Sequence, residues 1–66
     1  MQIFIGNIIK KRRIALRFTQ EMLSKLTGVS LRTIGKIEND CGNPSLDAVC
    51  KIAETLGLEI TLQVKK

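Results

Sequence analysis

The chain contains no histidine, tryptophan or tyrosine, and its only aromatic residues are two phenylalanines. Without imidazole it lacks the side chain that ordinarily titrates near neutral pH and most often serves as a general acid or base. No catalytic residue is expected, and the chain does not read as an enzyme. Its two cysteines, Cys41 and Cys50, have neither a histidine nor a second cysteine pair beside them. That rules out the usual zinc sets and the closely spaced redox dithiol, so no metal or cofactor is expected and both thiols are expected to stay reduced. No stretch approaches the roughly 18 consecutive apolar residues of a membrane span, and Met-Gln-Ile-Phe-Ile does not have the form of a signal peptide. A cytoplasmic address with no membrane partner is the expectation. Acidic residues are also missing from the first 20 positions, where Lys10, Lys11, Arg12, Arg13 and Arg17 stand alone.

That last absence accounts for the whole net charge of +5, since the remainder of the chain carries equal numbers of each sign. A basic excess suits a polyanionic partner. Four consecutive charges on a helix nevertheless point around its axis, so Lys10 and Lys11 are as readily a solvated surface as a binding patch. The 66 residues can hold one domain, 1–66, with 44% hydrophobic content. A domain of this size buries only about 60% of the surface its unfolded chain exposes. Its aliphatic core is marginal, and a partner copy would add stability.

Hydrophobic spacing divides residues 5–57 into helices. Ile5, Ile8, Ile9 and Leu16 share one stripe of a first helix over about Ile5 to Arg17. A second covers about Gln20 to Thr27, burying Leu23 and Leu26. A third covers about Leu31 to Asn39, burying Ile34 and Ile37. Asn39-Asp40-Cys41-Gly42-Asn43-Pro44 is dense in turn formers. Ser45 then caps a fourth helix with Asp47 near its positive end, in which Leu46, Val49, Cys50, Ala53 and Leu56 repeat at helical spacing until Gly57. Beyond Gly57 the period shortens to two: Leu58, Ile60, Leu62 and Val64 alternate with polar residues, as in a half-buried strand over 58–65. A single strand needs a hydrogen-bonding partner, and the same strand of a second copy is the simplest one.

The second and third helices carry the functional signal. Thr19 and Ser30 are placed to cap them, and Gly28 supplies the left-handed backbone that ends the first of the two. Three residues between caps leave room only for a tight corner, the layout of a helix-turn-helix. Stepped by about 100° per residue, the third helix turns Ile34 and Ile37 inward and Arg32, Lys36 and Asn39 outward. Such a face fits a DNA major groove, where Arg pairs with guanine in bidentate fashion, Lys reaches guanine acceptors or phosphate, and Leu31 and Thr33 can meet a thymine methyl. Gly35 borders this face and would allow close approach. Glu38 lies toward the apolar side and needs a cation; Arg12 and Arg13 are both available, and the wheel places Arg12 nearer the apolar stripe.

Thr19-Gln20 through Asn39, the Asn43-Pro44-Ser45-Leu46 link and Lys51-Ile52-Ala53-Glu54-Thr55-Leu56-Gly57 together resemble the Cro/CI-type (XRE) helix-turn-helix family over about residues 5–57. The resemblance implies a mainly α, lambda-repressor-like domain of four short helices plus the C-terminal strand pairing across a dimer. It places Gln20 where the family's glutamine braces against DNA, Leu31, Arg32 and Lys36 at base-reading positions, and Thr19 and Asn39 near phosphates. Ser30 and Thr33 complete the expected DNA-binding set. It favours Arg13 with Glu38 as the structural ion pair, and it puts Arg17 where glycine often closes the first helix. The tail is similar to that of HipB-like antitoxins, which implies dimerisation through Leu58, Ile60, Leu62 and Val64 and a HipA-like kinase toxin as a partner. The reading is thus a homodimeric repressor on a double-stranded DNA operator, in its more specific form an antitoxin. The alternatives are a solitary phage or chromosomal repressor and a protein-binding adaptor that does not read DNA.

Overall fold

Three of the four helices open on a hydroxyl residue in the computed structural model, which describes residues 5–61. The helices are α1 (Gly6–Ala15), α2 (Gln20–Thr27), α3 (Leu31–Glu38) and α4 (Leu46–Thr55). Thr19, Ser30 and Ser45 precede the last three, each with extended backbone and a side-chain oxygen that accepts from the amide three residues on, at 3.1, 3.2 and 3.1 Å. Each bond satisfies one of the unpaired donors of a helix start and contributes about 1 kcal/mol. Ile5, ahead of α1, has no such side chain. Its helix is capped from a distance, by Asp40 Oδ1 accepting from the Gly6 amide at 2.9 Å.

Helix ends follow a second shared rule. After α1, α3 and α4 the chain enters the left-handed region at Arg17 (φ 60°), Asp40 (φ 55°) and Gly57 (φ 72°). The next amide then reaches back into the helix, Phe18 to Arg13 O, Cys41 to Lys36 O and Leu58 to Ala53 O, at 3.0, 2.8 and 2.8 Å. This is the Schellman closure, which returns donors to carbonyls that would otherwise lie open.

The core joins Ile9 of α1, Leu23 of α2, Ile34 and Ile37 of α3, and Val49, Ile52 and Leu56 of α4 and its cap, with Val29 inserted from the corner. Helix α2 packs on both α3 and α4, while α1 lies on α3. Burying a side chain such as Leu23, Ile34, Ile52 or Leu56 completely contributes roughly 1.5–3 kcal/mol. Phe18, Ile5, Ala48 and Leu58 close the margins.

Several expectations need correction. Helix α1 stops at Ala15 rather than Arg17, because residue 17 has the wrong backbone sign to continue it. Its inward stripe is Gly6, Ile9 and Arg13, leaving Ile8 57% exposed and Leu16 on the surface. Only α3 covers this helix substantially, so the buried strip is narrow. Leu26 and Leu46 point outward, at 60% and 67% exposed, while Ile52, absent from the expected stripe, is fully buried. Asn39 is the cap of α3 and not its last turn. No strand forms among the described residues. Leu58 belongs to the closure of α4 and packs on the core, residues 59–61 continue without regular structure, and Leu62 and Val64 lie outside the described residues. Cys41 and Cys50 are both free thiols.

Candidate nucleic-acid interface

The corner between α2 and α3 is fastened at Val29. Its carbonyl accepts from Ser24 Oγ at 2.7 Å, its amide donates to Thr27 Oγ1 at 3.1 Å, and its side chain is buried. Both backbone groups of the corner residue are thereby satisfied by α2, and Gly28 (φ 76°) supplies the reversal just before it. Helix α3 therefore leaves the corner in one direction, with Ile34 and Ile37 held in the core.

Its other side faces solvent. Leu31, Arg32, Lys36 and Asn39 are exposed, and Thr33 and Gly35 are half-buried. A Cβ built at Gly35 would meet nothing within 4 Å, so the fold itself leaves open space there. Among the described residues neither Arg32 nor Lys36 is engaged in an ion pair. A shallow depression runs from Thr33 and Lys36 to Cys41, Gly42, Asn43 and Pro44, which places the α3–α4 loop along the edge of this face. The two cations and one amide thus project from a rigid helix whose opposite side is anchored, the arrangement that lets side chains reach base edges without ordering the backbone on contact.

The hydroxyls at the helix starts have separate duties. Ser30 Oγ accepts the Thr33 amide and donates to Thr33 Oγ1 at 2.9 Å, so it is committed to the cap. Thr19 Oγ1 accepts from Met22, and its own proton has no partner among the described residues. Thr33 has likewise accepted a bond and keeps a proton to give.

Behind the face lies a buried carboxylate. Glu38 has a side chain only 2% exposed, against 12% for Arg13. Arg13 Nε donates to Oε2 at 2.7 Å and Nη2 to Oε1 at 3.0 Å, a bidentate pair; Gln20 Nε2 adds a third bond to Oε1 at 3.2 Å. The remaining guanidinium nitrogen, Arg13 Nη1, donates to Phe18 O at 2.8 Å. Among the described residues no buried side-chain polar atom lacks a partner. The hydrogen bond to Glu38 holds the Arg13 guanidinium above even its ordinary pKa, against the opposing effect of burial, with the charges of Glu38 and Glu21 assisting. A fork of donors matched to a carboxylate suits a desolvated pair. This cluster joins α1, the start of α2 and the end of α3, and so sets the angle at which α3 is presented.

Arg12 takes a different role from its neighbour: its Nε donates to Leu56 O at 2.8 Å and thereby caps the C-terminus of α4. Gly6 and Asp40 also escaped sequence reasoning. A Cβ on Gly6 would stand 2.4 Å from Ile37 O and 2.5 Å from Glu38 O; the glycine lets the start of α1 lie directly on the end of α3. A missing side chain carries no hydropathy, so the true inward stripe of α1 was hidden from the helical wheel. Asp40 offered the one available signal, a residue with a short acceptor following a helix end.

A capped, core-anchored helix delivered by a fastened corner, with a cationic face turned outward, defines the helix-turn-helix class. The chain belongs to the helix-turn-helix family of the XRE type, whose model matches residues 9–63. Over 55 residues, 83% of the chain, it is 34% identical to the "Putative HTH-type transcriptional regulatory protein" of Methanosarcina barkeri (strain Fusaro / DSM 804). It spans 17% of that relative's length.

Proposed function

We propose that this chain is the DNA-reading domain of a transcriptional regulator and acts by occupying an operator. The observation that carries the reading is the outer face of α3, where Arg32, Lys36 and Asn39 stand exposed on a helix locked from behind by Ile34, Ile37 and Glu38. Arg32 and Lys36 supply base and phosphate contacts, Leu31 and Thr33 flank them, and Thr19, Gln20 and Asn39 position the domain along the backbone. Ser30 contributes through the cap. Selection of bound duplexes from a random pool tests this: a recurring half-site is expected, and binding no stronger than to competitor DNA would overturn it.

The finer form is a homodimeric repressor on a pseudo-palindromic operator, with the tails of two copies paired beyond Leu58, through Ile60, Leu62 and Val64. Its support is the alternation over 58–64 and the 43% exposure of Ile60. Two copies would present α3 to major-groove faces about 34 Å apart. Sedimentation of the intact chain and of the Ile60→Asp, Leu62→Asp variant tests it: a dimer and a monomer are expected, and an unchanged dimer would place the interface elsewhere. Partnership with a HipA-like kinase toxin rests on the resemblance of this tail alone, and co-purification with a kinase encoded beside it would support it.

A further inference from the structure

Among the described residues, two non-glycine residues hold left-handed backbone to close their helices, and only one of them has a side chain with an internal partner. Asp40 (φ 55°) uses its conformation to bring Oδ1 to the Gly6 amide. Short polar side chains tolerate this region because they can bond nearby backbone. Arg17 (φ 60°) has no such bond: its guanidinium is exposed and, among the described residues, takes part in no hydrogen bond or ion pair. Glycine does the same job at the end of α4 without strain. A long cationic side chain thus occupies a position where the fold alone favours none.

Its location suggests the use. Phe18, the next residue, accepts from Arg13, which also grips Glu38 at the end of α3. Gln20, three residues on, bonds the same carboxylate. The turn carrying Arg17 is therefore tied through Arg13 and Gln20 to the C-terminal end of α3, and it leads directly into exposed Thr19 at the start of α2. No acidic residue precedes Glu21 in the chain, so the nearby sequence offers little to neutralise it.

We propose that Arg17 is a phosphate-binding residue at the edge of the nucleic-acid interface, reading no base and adding affinity to any sequence. This rests on the DNA-binding reading of α3. A flexible guanidinium can form charge-assisted bonds to a phosphodiester across the groove edge while α3 occupies the groove. Its role is separate from that of Arg32, whose loss changes preference among bases.

The test compares the full chain with Arg17→Gly, Arg17→Lys and Lys51→Ala, titrating a selected duplex and a mixed-sequence duplex across about 50 to 200 mM salt. Arg17→Gly is expected to weaken binding to both duplexes by the same factor and to reduce the salt slope by about 0.9 per bound chain. Its melting temperature is expected to rise by several degrees, since glycine holds the left-handed backbone without the strain a Cβ brings. Arg17→Lys should keep the slope, and Lys51→Ala should change neither quantity. An unchanged slope and affinity in Arg17→Gly, with the parent chain binding normally, would overturn the proposal and leave the role of α3 standing. Failure of the parent chain to bind either duplex would overturn both.

Discussion

The corner joining α2 to α3 and the seat of α1 on α3 are built by opposite means. At the corner the bonds that cap the helices and fasten the turn span a few residues: Thr19 to Met22, Thr27 to Leu23, Ser24 to Val29 and Ser30 to Thr33. At the seat they span the chain, linking Gly6 to Asp40 and Arg13 to Glu38, while Arg12 ties the same helix to Leu56 at the end of α4. The corner shapes the reading head from nearby residues, while the seat aims it using distant ones. Local bonds can be lost one at a time at modest cost. The Arg13–Glu38 pair shares its groups with Phe18 O and Gln20, so damage to it disturbs several bonds.

The ion pair provides the most severe test of that difference. Arg13→Leu or Glu38→Leu alone should destabilise the domain by about 3–5 kcal/mol, because each strands a buried charge and unpairs its partners, and the double change should recover part of the loss. Urea unfolding of all four proteins checks this; additive losses would mean that the residues act independently. The raised Arg13 pKa fixes the sign of any pH effect from that group. Its contribution is fully present below the ordinary arginine value and lost only as pH rises through the higher folded value. Alkaline titration within the range where arginine stays charged should leave the seat intact.

Gly6→Ala comes next, with an expected loss of about 1–3 kcal/mol or more, since the atoms a methyl would strike are backbone carbonyls that cannot swing away. Gly35→Ala makes the contrast sharp. Open space around that position means the change should stabilise the free domain by up to about 1 kcal/mol through helix propensity. Melting curves of the two variants should move in opposite directions. If Gly35→Ala also weakens operator binding, close approach of α3 to DNA is the reason.

Arg32→Ala probes the head without touching its support. It should leave the melting temperature nearly unchanged while relaxing preference at one base pair per half-site, by about 1–3 kcal/mol for a lost bidentate guanine contact. Equal weakening on every sequence would make Arg32 a phosphate contact instead. Ser30→Ala, the smallest of these effects, should cost about 1 kcal/mol of stability through the lost cap. A much larger loss would show that the corner is less locally determined than its bonds indicate.

Local chemistry made the α2–α3 unit legible. Caps at Thr19, Ser30 and Ser45, the reversal at Gly28 and the burial of Leu23, Ile34 and Ile37 all follow from residues within a turn or two of one another. Leu26 and Leu46 misled for a related reason. Periodicity marks an apolar residue but does not say whether another element will cover it, and both stand outside the packed contacts of their helices.

By itself, then, the sequence determined that three helices start on hydroxyl caps, that α2 and α3 meet at a tight corner, and that Arg32, Lys36 and Asn39 turn away from the core. These features depend on backbone geometry and short-range hydrogen bonds, which neighbouring residues specify. Tertiary structure alone decided that Gly6 rather than a large side chain marks the inward face of α1, that Asp40 caps a helix 34 positions earlier, and that adjacent arginines divide between Glu38 and Leu56 O. Those outcomes depend on which helix lies against which and how closely. A hydropathy pattern contains no term for the distance between two backbones.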